Sequence, residues 1–188
     1  IAKRVKNMSE LMMADLNFGM YKQDVITAKM IRDIQQTYNY PKTVDVAGGK
    51  NMPKRIIEVA NIIKGWHLGA AIQSTDPDVL KAISRDNISS SAYKQLIDFG
   101  NNQNFAKTYS DIMLGLPGDT KQKHFESIRF AVDNSVSSIR MHQAILLIGT
   151  AMASKETRKK YGLKTKFRTL PGTVGYYEIL GKKYPIAE

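Results

Sequence analysis

The sequence contains no cysteine. No disulfide can form, and no thiolate is available for zinc or an iron–sulfur cluster; the absence fits a reducing compartment, and a cytoplasmic location is expected. No stretch approaches the roughly 18 consecutive apolar residues that a membrane-spanning helix requires, so no membrane partner is expected. The first residues, Ile1-Ala2-Lys3-Arg4-Val5-Lys6, offer neither an initiator methionine nor a signal-peptide apolar core, and the chain reads as cut from something longer. Histidines at metal-ligand spacing, a nucleophile elbow and an acid–base pair are also missing, so the motifs nominate no catalytic residue and no metal ligand. No Gly-x-Gly-x-x-Gly follows any strand-like stretch, which weighs against a dinucleotide fold. Any chemistry has to be borrowed from a cofactor.

With 188 residues, 43% of them hydrophobic, the chain can bury a core, and a single domain over residues 1–188 is expected. The formal net charge of +11 is unevenly spread. Between Ser154 and Arg168, seven basic residues (Lys155, Arg158, Lys159, Lys160, Lys164, Lys166 and Arg168) face only Glu156. This basic C-terminal segment, 154–188, reads first as a solvated helix face and loop. The alternative is a module that binds nucleic acid or another anionic partner through Lys155 to Arg168.

Apolar patterning divides the rest into repeated units. Ala2 to Met8 reads as the end of a helix. Strand-like runs at Leu11–Ala14, Thr43–Ala47, Leu68–Ile72, Tyr109–Leu114 and Ile139–Leu147 each give way to glycine or polar residues. Helical patterns follow the first four: Ile26, Met30, Ile34 and Tyr38 along one face; Ile56, Val59, Ala60 and Ile63 after Pro53; Val79, Leu80 and Ile83 after Asp76-Pro77; Tyr93, Leu96 and Ile97 after Ser89, closing at Gly100; and Phe125, Ile128 and Val132 after Asp119-Thr120. Strands that alternate with helices imply a parallel sheet, because each helix carries the chain back across it. Short strands in this succession predict an α/β fold with a partial parallel (β/α) barrel, TIM-barrel-like, of about five units.

In such a fold the strand C-termini share one mouth. That would bring together Asp15 and Asn17, Gly48, Gln73 and Ser74, the Gly115-Leu116-Pro117-Gly118 loop, and His142 and Gln143. Each also has a structural reading: Asp15 and Asn17 as loop caps, Gln73 and Ser74 as lead-in to a helix cap, and His142 as a hydrogen-bonded core histidine.

Four segments carry a family resemblance: Ala14-Asp15-Leu16-Asn17-Phe18-Gly19-Met20; the run from Gln73-Ser74-Thr75-Asp76-Pro77 to Arg85-Asp86-Asn87; Leu114-Gly115-Leu116-Pro117-Gly118-Asp119-Thr120; and His142-Gln143-Ala144-Ile145-Leu146-Leu147-Ile148-Gly149-Thr150. In order and spacing they resemble the barrel of radical S-adenosylmethionine (radical SAM) enzymes, nearest the subgroup with a cobalamin-binding domain, over roughly residues 8–177. The resemblance implies a six-unit partial barrel that binds S-adenosylmethionine. A preceding Cys-x-x-x-Cys-x-x-Cys segment would hold a [4Fe–4S] cluster from which a 5′-deoxyadenosyl radical is generated. That segment and a possible cobalamin domain would lie outside this chain, and the barrel alone would be inactive; the small-molecule substrate is not identified. A cluster-free barrel working in its own right is the third reading. The resemblance places Gln73 and Ser74 near the ribose or methionyl end of the cofactor, and Leu114, Gly115, Leu116 and Pro117 against adenine. It sets Arg85 toward the methionyl carboxylate, His142 and Gln143 along the mouth, and Asp15 and Asn17 toward methionine or substrate. Those last two depart from the Gly-Gly-Glu of many other branches.

Overall fold

The computed structural model describes residues 8–49, 51–102, 107–166 and 176–185. The helix expected over Ala2–Met8 and the basic residue Arg168 lie outside this set, Met8 excepted. Strand β1 (Glu10–Met12) leads through helix α1 (Lys22–Tyr38) to β2 (Thr43–Asp45), and α2 (Pro53–Ile62) leads on to an extended segment, 66–73. Helices α3 (Pro77–Ala82) and α4 (Ser90–Asn101) precede β3 (Tyr109–Leu114), and α5 (Lys121–Asp133) precedes β4 (Ser138–Gln143). A short helix, α6 (Lys155–Tyr161), and an antiparallel hairpin, β5 (Tyr176–Ile179) with β6 (Lys182–Pro185), follow.

All strand pairings before the hairpin are parallel, and the partners are neighbours in chain order. β1 pairs with β2 and β3 with β4. Segment 66–73 joins the two pairs through bridges from Trp66 to Val44, Gly69 to Tyr109 and Gln73 to Ile112. At least one helix lies between each pair of neighbouring strands, as parallel connection demands. This is the expected α/β alternation of five units. Among the described residues no pairing joins β4 back to β1.

Alternation along the strands separates two faces. Leu11, Met13, Val44, Val46 and Leu68 pack with Ala28, Ile31, Ile56, Val59 and Ala60 of the helices around Trp66. Trp66 is 2% exposed, sits edge-on to Phe18 with ring centroids 5.4 Å apart, and donates its indole N–H to the Val46 carbonyl at 3.1 Å. A second cluster joins Ala70, Ile72 and Ile112 to Tyr93, Ile97 and Ala131, and Ile88 packs against both clusters. The other strand face, carrying Asp45, Gly69, Tyr109, Asp111, Arg140 and His142, is turned away from the helices.

Two helices bury a different face from the one their apolar spacing predicts. In α1, Ile26 and Met30 are about 60% exposed and Tyr38 is 43% exposed, while Asp24, Ala28, Ile31 and Gln35 are buried. The reason is hydrogen bonding: Gln35 Nε2 donates to the carbonyls of Pro41 and Lys64, and Asp24 accepts from the Gly19 and Tyr21 N–H groups. In α5, Phe125 and Val132 are exposed, and Ser127 and Ala131 face inward, their small side chains next to the strands. Helix α4 continues past Gly100 to Asn101. The fifth strand ends at Gln143, not Leu147; only Ala144 extends the ladder, to the Leu114 carbonyl, and Ile145, Leu147 and Ile148 leave it exposed. The hairpin was not expected. Its signal was Leu180-Gly181, both of which take the positive φ of a tight turn (49° and 78°).

The expected caps form. Thr120 caps α5 by accepting from the Lys123 N–H at 3.3 Å, and Asp76 caps α3 by accepting from the Asp78 and Val79 N–H groups at 3.0 and 2.9 Å. Lys123 also pairs with Asp76 at 3.1 Å, linking the two helices. The Val79 hydrogen bond is the main reason the Asp76 carboxyl sits below its ordinary pKa; burial opposes this and Lys123 adds to it. A depressed carboxyl stabilises the fold above its unfolded pKa of about 4 and ceases to do so as pH falls through the lower folded value. Asp76→Ala should therefore cost about 1–2 kcal/mol at neutral pH. In urea titrations that difference should shrink in acid; a difference constant down to the acid limit would refute the assignment.

Candidate functional site

Parallel strands put all their C-terminal ends on one side, and a cleft of ≈ 510 Å³ lies there, lined by Asn51, Gln73, Ile83, Ser84, Arg85 and Asp86. Its two expected members, Gln73 and Arg85, are held in place by backbone geometry.

Gln73 adopts a positive φ of 61°, uncommon for a residue with a side chain. Hydrogen bonds on both sides pin it: its N–H donates to the Asp111 carbonyl and its carbonyl accepts from the Met113 N–H, each at 2.9 Å. Such over-determined backbone strain gathers at ligand sites. Arg85 owes its position to the end of α3. Ser84 takes a left-handed φ of 52°, the Ser84 N–H donates to the Lys81 carbonyl, and the Arg85 N–H reaches back to the Leu80 carbonyl, the bonding of a Schellman cap. The chain so turned brings the guanidinium to the Ala71 carbonyl at 2.8 Å. Asn87 steadies it, accepting from Arg85 Nε at 3.4 Å and donating to the Ser74 carbonyl at 2.8 Å. Burial lowers the Arg85 pKa from its ordinary value and the nearby Asp111 carboxylate opposes that shift; the guanidinium remains a cation.

The other expected residues divide. Ser74 is 2% exposed and its hydroxyl accepts from the Asp76 N–H at 3.2 Å, so it serves the α3 cap and the Asn87 link and does not line the cleft. In the Gly-Leu-Pro-Gly loop, Leu114 and Gly115 are exposed, and Gly115 has open space where a side chain would stand. Leu116 (4% exposed) and Pro117 are buried, so their side chains pack the loop onto the fold and form no open wall. Asp15 and Asn17 are exposed; the Asp15 carboxylate accepts from the Asn17 N–H at 2.8 Å, the loop-capping alternative. His142 is no core histidine: its side chain is 58% exposed and its Nε2 lies 3.3 Å from Asp111 Oδ1. Gln143 projects from the opposite face of β4.

The sequence reading missed Asp111, which lies across from Arg140 in the β3–β4 register and whose carbonyl accepts from the Gln73 N–H. An acid in an otherwise apolar strand was the available signal. It also missed Tyr109. The Arg140 guanidinium lies over the Tyr109 ring at 3.8 Å, and the Tyr109 ring fills the space where a Gly69 Cβ would project. Burial raises the Tyr109 pKa; Arg140 opposes the rise, and Asp111 and Asp45 add to it. Among the described residues no group of three or more acidic, histidine or cysteine side chains could hold a metal ion. The basic residues Lys155, Arg158, Lys159 and Lys160 are exposed on α6, as a solvated helix face would be.

No family model matches the chain. It is similar to 2-(S-pantetheinyl)-carbapenam-3-carboxylate methyltransferase of Streptantibioticus cattleyicolor, 30% identical over 179 residues, covering 89% of this chain and 26% of that protein. It is 28% identical over 167 residues to the cobalamin-dependent radical SAM methyltransferase TokK of Streptomyces tokunonensis, covering 85% of this chain and 24% of the relative. In fold it resembles the radical S-adenosylmethionine methyltransferase TsrM of Kitasatospora setae, solved with cobalamin and a [4Fe–4S] cluster, with a TM-score of 0.60 at 10% identity over 74% of this chain and 26% of that one. The chain thus spans about a quarter of the length of the relatives it matches. Similarity across nearly all of this chain, in a shared parallel α/β fold, relates it to the radical S-adenosylmethionine enzymes.

Proposed function

We propose that this chain is the S-adenosylmethionine-binding part of a methyltransferase, a partial (β/α) barrel whose remaining segments belong to a longer parent. The observation that carries this is the cleft where Gln73, strained and pinned, meets the half-buried cation Arg85 at the strand ends. Its volume falls in the ~300–1,000 Å³ range of small-molecule sites. A guanidinium suits the methionyl carboxylate, and an amide suits its ammonium or the ribose hydroxyls. The exposed backbone at Gly115, with open space beside it, offers an edge for the adenine.

The cofactors of the relatives fit this chain unequally. The cleft residues match the polar groups of S-adenosylmethionine. No residues here match an iron–sulfur cluster, since there is no cysteine, and on this reading the cluster is held by another part of a longer parent. Radical and methyl-carrier chemistry would come from those cofactors; this chain's residues bind and orient. The substrate we assign by class, from the first relative, is a small ring carboxylate. The nucleic-acid reading draws no support from the relatives, and the basic residues on α6 build no pocket.

The test is calorimetric titration of S-adenosylmethionine into the anaerobically reconstituted parent, with 5′-deoxyadenosine and methylated product as accompanying readouts. Binding that Gln73→Ala weakens several-fold is expected; a parent that binds no S-adenosylmethionine, or lacks a cysteine triad, would overturn the assignment.

A further inference from the structure

Across the β3–β4 register Arg140 stands opposite Asp111 and His142 opposite Met113. Opposite charges placed directly across neighbouring strands usually pair. Here they do not: each β4 side chain leans two residues back along β3, so His142 takes Asp111 at 3.3 Å and Arg140 lies on the Tyr109 ring at 3.8 Å. Among the described residues Arg140 forms no ion pair. Its guanidinium carbon lies over an 8%-exposed ring that is itself seated against Gly69, while the arginine remains exposed. A guanidinium over an aromatic ring and without an ion pair has N–H groups to offer, and such groups grip a carboxylate through two parallel hydrogen bonds.

The neighbouring charges define what fits. Asp111 is engaged by His142 and lies within the field of Arg85, and both Asp111 and Asp45 act on Tyr109. Asp111 is already paired with His142, which leaves the Arg140 cation without an acidic partner among the described residues. We propose that Arg140, stacked on Tyr109, is the substrate-carboxylate clamp of this protein, on the strand face next to the Gln73–Arg85 cleft. The clamp rests on the small-ring-carboxylate reading above and names the residues that would receive the acid.

The experiment titrates carbapenam-3-carboxylate and its methyl ester into the reconstituted parent, as wild type and as Arg140→Gln, Arg140→Ala and Arg140→Lys, with S-adenosylmethionine binding measured on the same samples. The acid should bind wild type at least about tenfold more tightly than the ester, and the preference should fall to about twofold or less in Arg140→Gln and Arg140→Ala, with lysine in between. S-adenosylmethionine affinity should stay within about twofold throughout. Equal binding of acid and ester by the wild type, or a preference that survives Arg140→Gln, overturns the clamp. Since the wild-type comparison needs no variant to fold, a poorly folding variant leaves the proposal exposed to refutation. A wild type that binds the acid by way of Arg140 and yet no S-adenosylmethionine would sink the cofactor assignment and leave the clamp standing.

Discussion

Replacing Arg85 by alanine should weaken S-adenosylmethionine binding by about 10- to 100-fold. The estimate follows from a charged hydrogen bond in a half-buried cleft, worth about 1.5–3 kcal/mol, converted at 1.4 kcal/mol per tenfold. Two features make the loss this large. The Schellman turn fixes the backbone of Arg85, so the side chain enters the cleft with little freedom left to lose. Its Ala71 and Asn87 contacts orient the fork before a ligand arrives. Lysine should recover part of the affinity, because it restores the charge without the fork. The same contacts raise a structural objection, since alanine also frees the Ala71 carbonyl. Thermal unfolding settles it: a drop in affinity far exceeding the drop in stability locates the effect in ligand binding. A change of less than about twofold in affinity would remove Arg85 from the site.

Trp66→Ala should be the most damaging single change to the fold, costing about 3–5 kcal/mol through the cavity it leaves. The substitution also strands the buried Val46 carbonyl that now accepts from the indole, which adds to the cost. Against a typical domain stability of about 5–15 kcal/mol, this is a large fraction of the margin. The backbone bridge from Trp66 to Val44 does not depend on the indole, so the loss lies in packing and in the side-chain hydrogen bond. Because this is the chain's one tryptophan, circular dichroism in urea is the appropriate measurement. Trp66→Phe should cost clearly less, keeping an aromatic contact with Phe18 while losing the hydrogen bond. An alanine variant within 1 kcal/mol of wild type would contradict this account of the core.

How far the sequence disclosed this architecture depends on which forces acted locally. Strand and helix order was legible because period-two and period-3.6 patterns, together with caps such as Asp76 and Thr120, are written in neighbouring residues. The buried faces of α1 and α5 were not legible. Gln35, Asp24 and Ser127 face inward to satisfy backbone groups up to 52 residues away, and hydrophobic spacing carries no trace of such partners. Gln73 and Arg85 could be anticipated at the strand ends, where both line the cleft. Their strained and Schellman-capped backbones could not, because Ser84 stands where glycine usually marks such a turn. The Asp111–His142 contact required the β3–β4 register, which is set only when the two strands meet. Leu116 and Pro117 looked available in a glycine-bounded loop; burial against the fold removed them.

The seating of Tyr109 against Gly69 has a consequence for how this protein can change over generations. Any side chain at position 69 would enter the space of the Tyr109 ring, and moving that ring would take away the platform under Arg140. A lone substitution at 69 is thus felt at two further positions, one on each of two further strands. Larger residues at 69 become tolerable only in chains where 109 has already shrunk, and those chains will have given up the stacked arginine first. Residues 69, 109 and 140 form a unit of inheritance, and the order in which they can drift is fixed by which of them occupies the space.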